Sequence, residues 1–330
     1  MRSKRKDEHV IHALNQEINT NDFDKVMLFH QSLPSVDLEE VSLEKAYFGH
    51  TFKYPIYINA MTGGSDKTLE INRKLALIAK QYDLAMSVGS QHVALDDAQY
   101  EASFKIVREV NPNGFIIGNV NPNASLTEAK RAIDMIEANA LGIHINPAQE
   151  LTMDEGDRDF KHWLSNIQEI VEGVDVPVIV KEVGNGLSSE TVKKLMDIGV
   201  KHVDVSGRGG TNFIEIENQR SEGKRYYYLN NWGLSTVEAL LDNEEYMNQI
   251  EIVASGGIRN PLDVIKALSL GAQAVGMSRY FLELISESRE SELDLFLEDL
   301  KKIMVLVDCQ RVDELYKIRK RGCNEIETII

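Results

Sequence analysis

The chain has 330 residues, of which 43% are hydrophobic and 27% charged, an ordinary balance for a globular protein. Its 36 basic and 52 acidic side chains leave a net charge of −16, which argues against nucleic acid and anionic membrane as partners. An anionic small molecule remains a suitable ligand if local cations or a metal receive it.

Cys309 and Cys323 are the only cysteines, too few and too late for a disulfide framework. No apolar run approaches the roughly 20 residues needed to cross a bilayer. The charged start "MRSKRK" has no apolar segment behind it and does not read as a signal peptide. A cytoplasmic protein is expected.

In chain order, residues 1–53 form an extension, expected as a short helix and a covering segment. From Tyr54 a unit recurs: an apolar run, a polar or glycine-rich patch, then helical spacing. The runs are "YPIYINA" (54–60), "LAMSVGS" (84–90), "GFIIGNV" (114–120), "LGIHIN" (141–146), "VPVIVKEV" (176–183), "KHVDVSG" (201–207), "IEIVASGG" (250–257) and "AQAVGMS" (272–278). Near-continuous apolar runs suit strands covered on both faces, hence a parallel sheet.

The intervening helices carry their own punctuation. "SLTE" at 125–128 is a capping box, and "RNPLDVIKALSLGA" sets Asn260 at an N-cap, Pro261 at the first helical position and Gly271 past the end. Residues 207–231, ending in "RYYYLNN", form a long insertion after strand six, of the length of a lid or a disordered segment. Residues 281–330 read as helices, with Leu293, Phe296, Leu297 and Leu300 at helical spacing. The predicted fold is α/β: a (β/α)8 TIM barrel in one domain, with extension 1–53, barrel 54–280 and C-terminal helices 281–330. An open doubly wound sheet would carry its phosphate glycines after the first strand. Here they come last.

Chemistry in such a barrel gathers at the C-terminal strand ends, and all eight runs end in small or hydrogen-bonding residues. "ASGGIR" and "GMSR" place Gly256, Gly257, Arg259, Ser278 and Arg279 after strands seven and eight, where glycine backbones approach phosphate oxygens. Lys181 ends strand five, where a buried cation needs an anionic or electron-rich partner. With Ser90, Asn119, Ser206 and Thr211 at other tips, the constellation suits FMN better than a simple sugar phosphate. The tip of strand four, "HINPAQE", crowds Gln149 and Glu150 behind His144. Glu150 is a hard oxygen donor of the kind Mg²⁺ takes together with phosphate oxygens. His144 reads equally as a satisfied strand histidine or as a residue that meets substrate.

These residues resemble one family, the FMN-dependent type 2 isopentenyl-diphosphate delta-isomerases. "RKDEH", "AMTGG", "SVGSQ", "GNVN", "HINPAQE", "VKEVGNG", "DVSGRGGTNF" and "ASGGIRN" follow its motifs in its order, across about residues 5 to 280. The resemblance implies an isomerase that interconverts isopentenyl and dimethylallyl diphosphates without net redox change, using reduced FMN, Mg²⁺ and NADPH as reductant. It implies a higher homo-oligomer, a tetramer or octamer. Carried over by position, Ala60, Met61, Thr62, Ser90, Asn119, Lys181, Ser206, Thr211, Gly257, Ile258, Arg259, Ser278 and Arg279 hold the flavin. Arg5 and Lys6 bind the substrate diphosphate, Gln149 contacts substrate, with Gln149 and His144 as catalytic candidates, and Glu150 ligates the metal.

Two other readings compete. A 2-hydroxy-acid oxidase or dehydrogenase on the same barrel needs a histidine base and a paired arginine after strand six, whereas "SGRGGTNF" has Arg208 and Thr211 at those places. A non-catalytic flavin-binding module would be expected to lack Gln149 or Glu150, and both are present.

Overall fold

Each of the eight apolar runs becomes a strand, and the eight close into a parallel barrel. The strands are Ile56–Ile58, Met86–Ser87, Ile116–Val120, Ala140–His144, Val178–Lys181, His202–Asp204, Glu251–Ser255 and Val275–Met277. Val275 pairs with Ile56, so strand eight returns to strand one and leaves no edge. This is a computed structural model, and it describes residue 16, residues 21–220 and residues 225–322. Arg5, Lys6 and Cys323 lie outside the described residues.

The helix signals act where they stand. Ser125 caps Leu126–Ile136 with a reciprocal bond to Glu128, and Asn260 caps Pro261–Ser269 through the Asp263 N–H. Both devices satisfy amides that the first helical turn leaves without partners. The outward residues of the strands, such as Ile58, Ile143 and Val180, join the helices in one apolar layer.

Of the extension, residue 16 and residues 21–53 are described, and they supply a covering segment. Its described part has a 3-10 turn at Asp22–Lys25, then a hairpin of Lys45–Tyr47 and His50–Phe52. The two turn residues, Phe48 and Gly49, both take positive φ, the geometry that matches hairpin twist. A phenylalanine there hides the turn from pattern reading. Tyr47, Phe48 and Phe52 are fully buried against Tyr57, Ile117 and Val253, and they plug the N-terminal end of the barrel.

At the other terminus, helix Glu292–Leu306 buries Leu293, Phe296, Leu297 and Leu300, as its spacing predicts. The chain then adds Lys320–Arg321 to Met27–Leu28 as a small antiparallel pair. Among the described residues no helix is long and apolar enough to cross a membrane.

Candidate active site

Strand alternation builds the site. Side chains two apart share a face, so each strand that enters the barrel apolar can leave it polar. Tyr57 leads to Asn59, Ile117 to Asn119, Ile179 to Lys181 and Val253 to Ser255. The first of each pair packs on the hairpin plug, and the second lines a cavity of about 1050 Å³ at the barrel mouth. That volume lies at the upper limit of the roughly 300–1,000 Å³ typical of small-molecule sites, enough for a cofactor and a substrate together.

Gly256, Gly257, Ile258, Ser278 and Arg279 line one end of this cavity. Gly256 has φ +94, and a Cβ on it would overlap the Gly207 carbonyl oxygen. Only glycine serves there. Ser278 precedes helix Arg279–Ser286, and Arg279 adds a cation that also donates to the Gln16 carbonyl at 2.5 Å. Gln16 in turn exchanges two 2.9 Å hydrogen bonds with the Asn212 backbone, so the extension touches both the late turns and the insertion.

Arg259 is not on the cavity wall. Its guanidinium binds Asp24 at 2.6 Å and Asp263 at 2.8 Å, and hydrogen bonds to these carboxylates push it further above its ordinary value. Thr62 is also set back, beneath the wall, where its carbonyl accepts from the Gly89 N–H. Its buried hydroxyl has no hydrogen-bond partner among the described residues. Ala60, Met61, Ser90, Asn119, Ser206 and Thr211 all line the cavity.

Lys181 is buried at the cavity wall, and its Nζ donates to the Glu182 carbonyl at 2.7 Å. Burial pushes the amine down, opposed by the charges of Asp204 and Glu182. The Glu182 carboxyl is itself raised to about 7 by burial, although it accepts from the Val183 and Asn185 amides. Ser206 holds φ +38, a strained conformation for a residue with a side chain. Two glycine amides, from Gly184 and Gly186, donate to its carbonyl and keep it there.

Across the mouth, strand four delivers His144 and runs into helix Pro147–Thr152. Asn119 donates to the Val88 carbonyl, so its oxygen accepts from His144 Nδ1 at 2.8 Å. That contact sets the ring's tautomer and makes Nε2 the acceptor of the neutral ring. Asn146 Nδ2 donates to both Gln149 Oε1 and Glu150 Oε1 at 3.1 Å, which joins the three side chains. Gln149 then donates to Glu217 on helix Phe213–Arg220, and Glu217 pairs with Arg220. The insertion after strand six therefore packs over the strand-four tip and contributes Phe213 and Arg220 to the wall.

These residues fit the two groups expected. A buried lysine, a glycine turn that no Cβ tolerates and Arg279 suit a phosphorylated, electron-accepting ring system. Glu150 lines the cavity beside Asn146 Oδ1, a buried oxygen without a hydrogen-bond partner among the described residues. Hard oxygens of this kind suit Mg²⁺ completed by phosphate and water. Among the described residues no group of three or more His, Cys, Asp or Glu makes a self-sufficient metal site.

The structure thus gathers Gln149, Glu150, His144 and Lys181 with most of the expected flavin positions, and sets Thr62 and Arg259 outside the cavity wall. Reading the motifs missed Glu217, Arg220 and Asp204. Asp204 left a signal, a lone acid inside the apolar run "KHVDVSG". Glu217 left none, because the insertion has no apolar period to fix its facing.

Comparison with known proteins agrees with this geometry. Residues 97–320 match the family model described as FMN-dependent dehydrogenase. An isopentenyl-diphosphate delta-isomerase of Staphylococcus epidermidis is 48% identical, the match covering 95% of this chain and 91% of the relative. One from Staphylococcus saprophyticus is 47% identical, with 95% and 92% covered. Among solved structures, a flavocytochrome b2 variant superposes with TM-score 0.70 at 18% identity, covering 97% of this chain and 84% of that one. A mandelate oxidase variant gives 0.69 at 17%, covering 98% and 99%. At such low identity these two speak for the barrel alone. The chain belongs to the FMN-dependent dehydrogenase family and, within it, to the isopentenyl-diphosphate delta-isomerases.

Proposed function

We propose that this protein interconverts isopentenyl and dimethylallyl diphosphate, a 1,3-allylic proton shift within isoprenoid biosynthesis. The observation that carries the reading is a single cavity lined by Gln149, Glu150 and Lys181, in a chain 48% identical to a named isomerase. FMN in its reduced form supplies the acid–base centre when bound.

The chain's own groups do the rest. Gly257, Ile258, Ser278 and Arg279 bind the cofactor phosphate, and Lys181 sets a cation beside the ring. Ala60, Met61, Ser90, Asn119, Ser206 and Thr211 position its polar edges. Thr62 and Arg259 act from behind the wall, Arg259 by holding the turn through Asp263. Glu150 orients Mg²⁺ for the substrate diphosphate, with Arg5 and Lys6 adding positive charge. Gln149, neutral and held by Asn146 and Glu217, orients the alkene without offering a strong base that would trap a carbocation. His144 presents Nε2 to the same space.

NADPH is the proposed reductant. The assembly is a homo-oligomer, a tetramer or octamer, of single-domain chains in the cytoplasm. The test is isomerisation of isopentenyl diphosphate by purified protein, followed by proton NMR, with FMN, Mg²⁺ and NADPH present or omitted singly. Conversion that requires all three supports the proposal. Conversion indifferent to FMN contradicts it.

A further inference from the structure

We infer that Asp204 is a positioning residue that keeps Lys181 cationic against the flavin and fixes Ser206 at the cavity wall. This inference rests on the FMN reading of the cavity.

Asp204 is 1% exposed, at the end of strand six. A buried carboxylate is costly without compensation, and here four groups compensate it. Tyr57 Oη and Asn59 Nδ2 donate at 2.9 Å, Ser255 Oγ at 2.7 Å and the Ser206 N–H at 3.0 Å. Burial first, and the Asp204 charge second, push the Tyr57 phenol well above its ordinary value, so it stays a donor. Three of the four donors, Asn59, Ser206 and Ser255, belong to residues of the cavity wall. One anion thus sets the orientation of wall groups from strands one, six and seven.

Asp204 also faces Lys181, whose Nζ donates to the Glu182 carbonyl and not to Asp204 itself. The two are register partners on adjacent parallel strands, so their side chains leave the same face of the barrel. The other neighbours of Lys181 are weaker counter-charges. His144, the register partner on the opposite side, carries no negative charge, and the Glu182 carboxyl takes up a proton near pH 7. Burial lowers the Lys181 amine and the Asp204 charge is the first to oppose it, so removing Asp204 shifts the amine toward its neutral form. The cofactor would then face less of the positive charge that favours its electron-rich form. A purely structural role for Asp204 makes a different prediction: binding of both redox forms would weaken alike.

The test uses the full-length FMN-loaded protein and compares wild type, Asp204→Asn, Lys181→Met and the double variant. The readouts are the dissociation constant for oxidised FMN and the reduction potential of the bound flavin. Asp204→Asn is expected to lower the preference for reduced over oxidised FMN about tenfold, a fall of about 30 mV for a two-electron couple. In the Lys181→Met background the same change should lower it no further. An unchanged potential in Asp204→Asn, or a full second decrease in the double variant, would overturn the inference. A folding failure of Asp204→Asn leaves a direct measurement on the wild-type holoprotein, the ¹³Cε shift of Lys181 at pH 7. A protonated amine supports the inference and a neutral one overturns it. Wild-type protein that binds no FMN would instead sink the cofactor reading on which the inference stands.

Discussion

Gln149 Nε2 donates to Glu217 Oε1 across 3.2 Å and ties the tip of strand four to the helix that follows strand six. Both side chains are buried, so neither orientation is left to solvent. Gln149→Ala should lower kcat about 100-fold, the scale of loss when a group that orients the reacting atoms is removed, and Glu217→Gln, which keeps the shape, about tenfold. Steady-state rates with saturating FMN check this. Equal rates in all three proteins would remove the pair from the chemistry.

Arg259 joins Asp24 of the extension to Asp263 behind the late glycine turn. Asp263 is 1% exposed, so Arg259→Ala would strand a buried carboxylate and should cost about 3–5 kcal/mol. This loss should be evident in urea unfolding even without FMN.

Asp24 is more exposed, and its bridge should contribute no more than about 1 kcal/mol. The hydrogen bond from Arg259 lowers its carboxyl to about 2, against burial. A depressed acid contributes stability above its unfolded value, near 4, and loses it as pH falls toward 2. The deficit of Asp24→Asn relative to wild type should therefore shrink over that interval.

Glu182 has the opposite sign. Burial raises its carboxyl to about 7, so the folded state holds a proton that the unfolded state releases near pH 4.5. Stability then falls as pH rises from about 4.5 to 7, by about 3 kcal/mol if the full shift is expressed. Glu182→Gln should gain on the wild type across this window. Parallel melting curves at pH 5 and pH 8 would show it, and a constant difference would count against a titrating Glu182.

Two glycines separate site geometry from backbone preference. Gly49 has φ +74 with no atom near a new Cβ, so Gly49→Ala should cost about 1 kcal/mol and leave FMN binding unchanged. Gly256→Ala pushes a methyl into the Gly207 backbone at the cavity wall, where the cofactor phosphate is proposed to bind. It should weaken FMN binding far more than it lowers the melting temperature, as titration and thermal unfolding of the same preparations can establish.

Much of this molecule is legible without coordinates because it is periodic. Eight apolar runs specify eight strands, and the polar residues that close them, from Asn59 to Ser278, mark the mouth. Capping at Ser125 and Asn260 is equally local, so it can be read from a few neighbouring residues. What escapes is long-range. Whether Arg259 faces a phosphate or Asp24 depends on a partner 235 positions away. The hairpin plug rests on a turn whose first central residue is Phe48, against turn preference. Glu217 meets Gln149 only because an insertion of no clear period folds back over strand four.

Reduced flavin and the diphosphate ester are proposed to share one barrel mouth. The most direct measurement of this is transfer of solvent deuterium into isopentenyl diphosphate by anaerobic, FMN-loaded protein with Mg²⁺, before and after reduction of the flavin. Label should enter the allylic product only after reduction, with the flavin still reduced at the end. Label in the product from oxidised protein, or flavin reoxidised in step with substrate consumed, would contradict it.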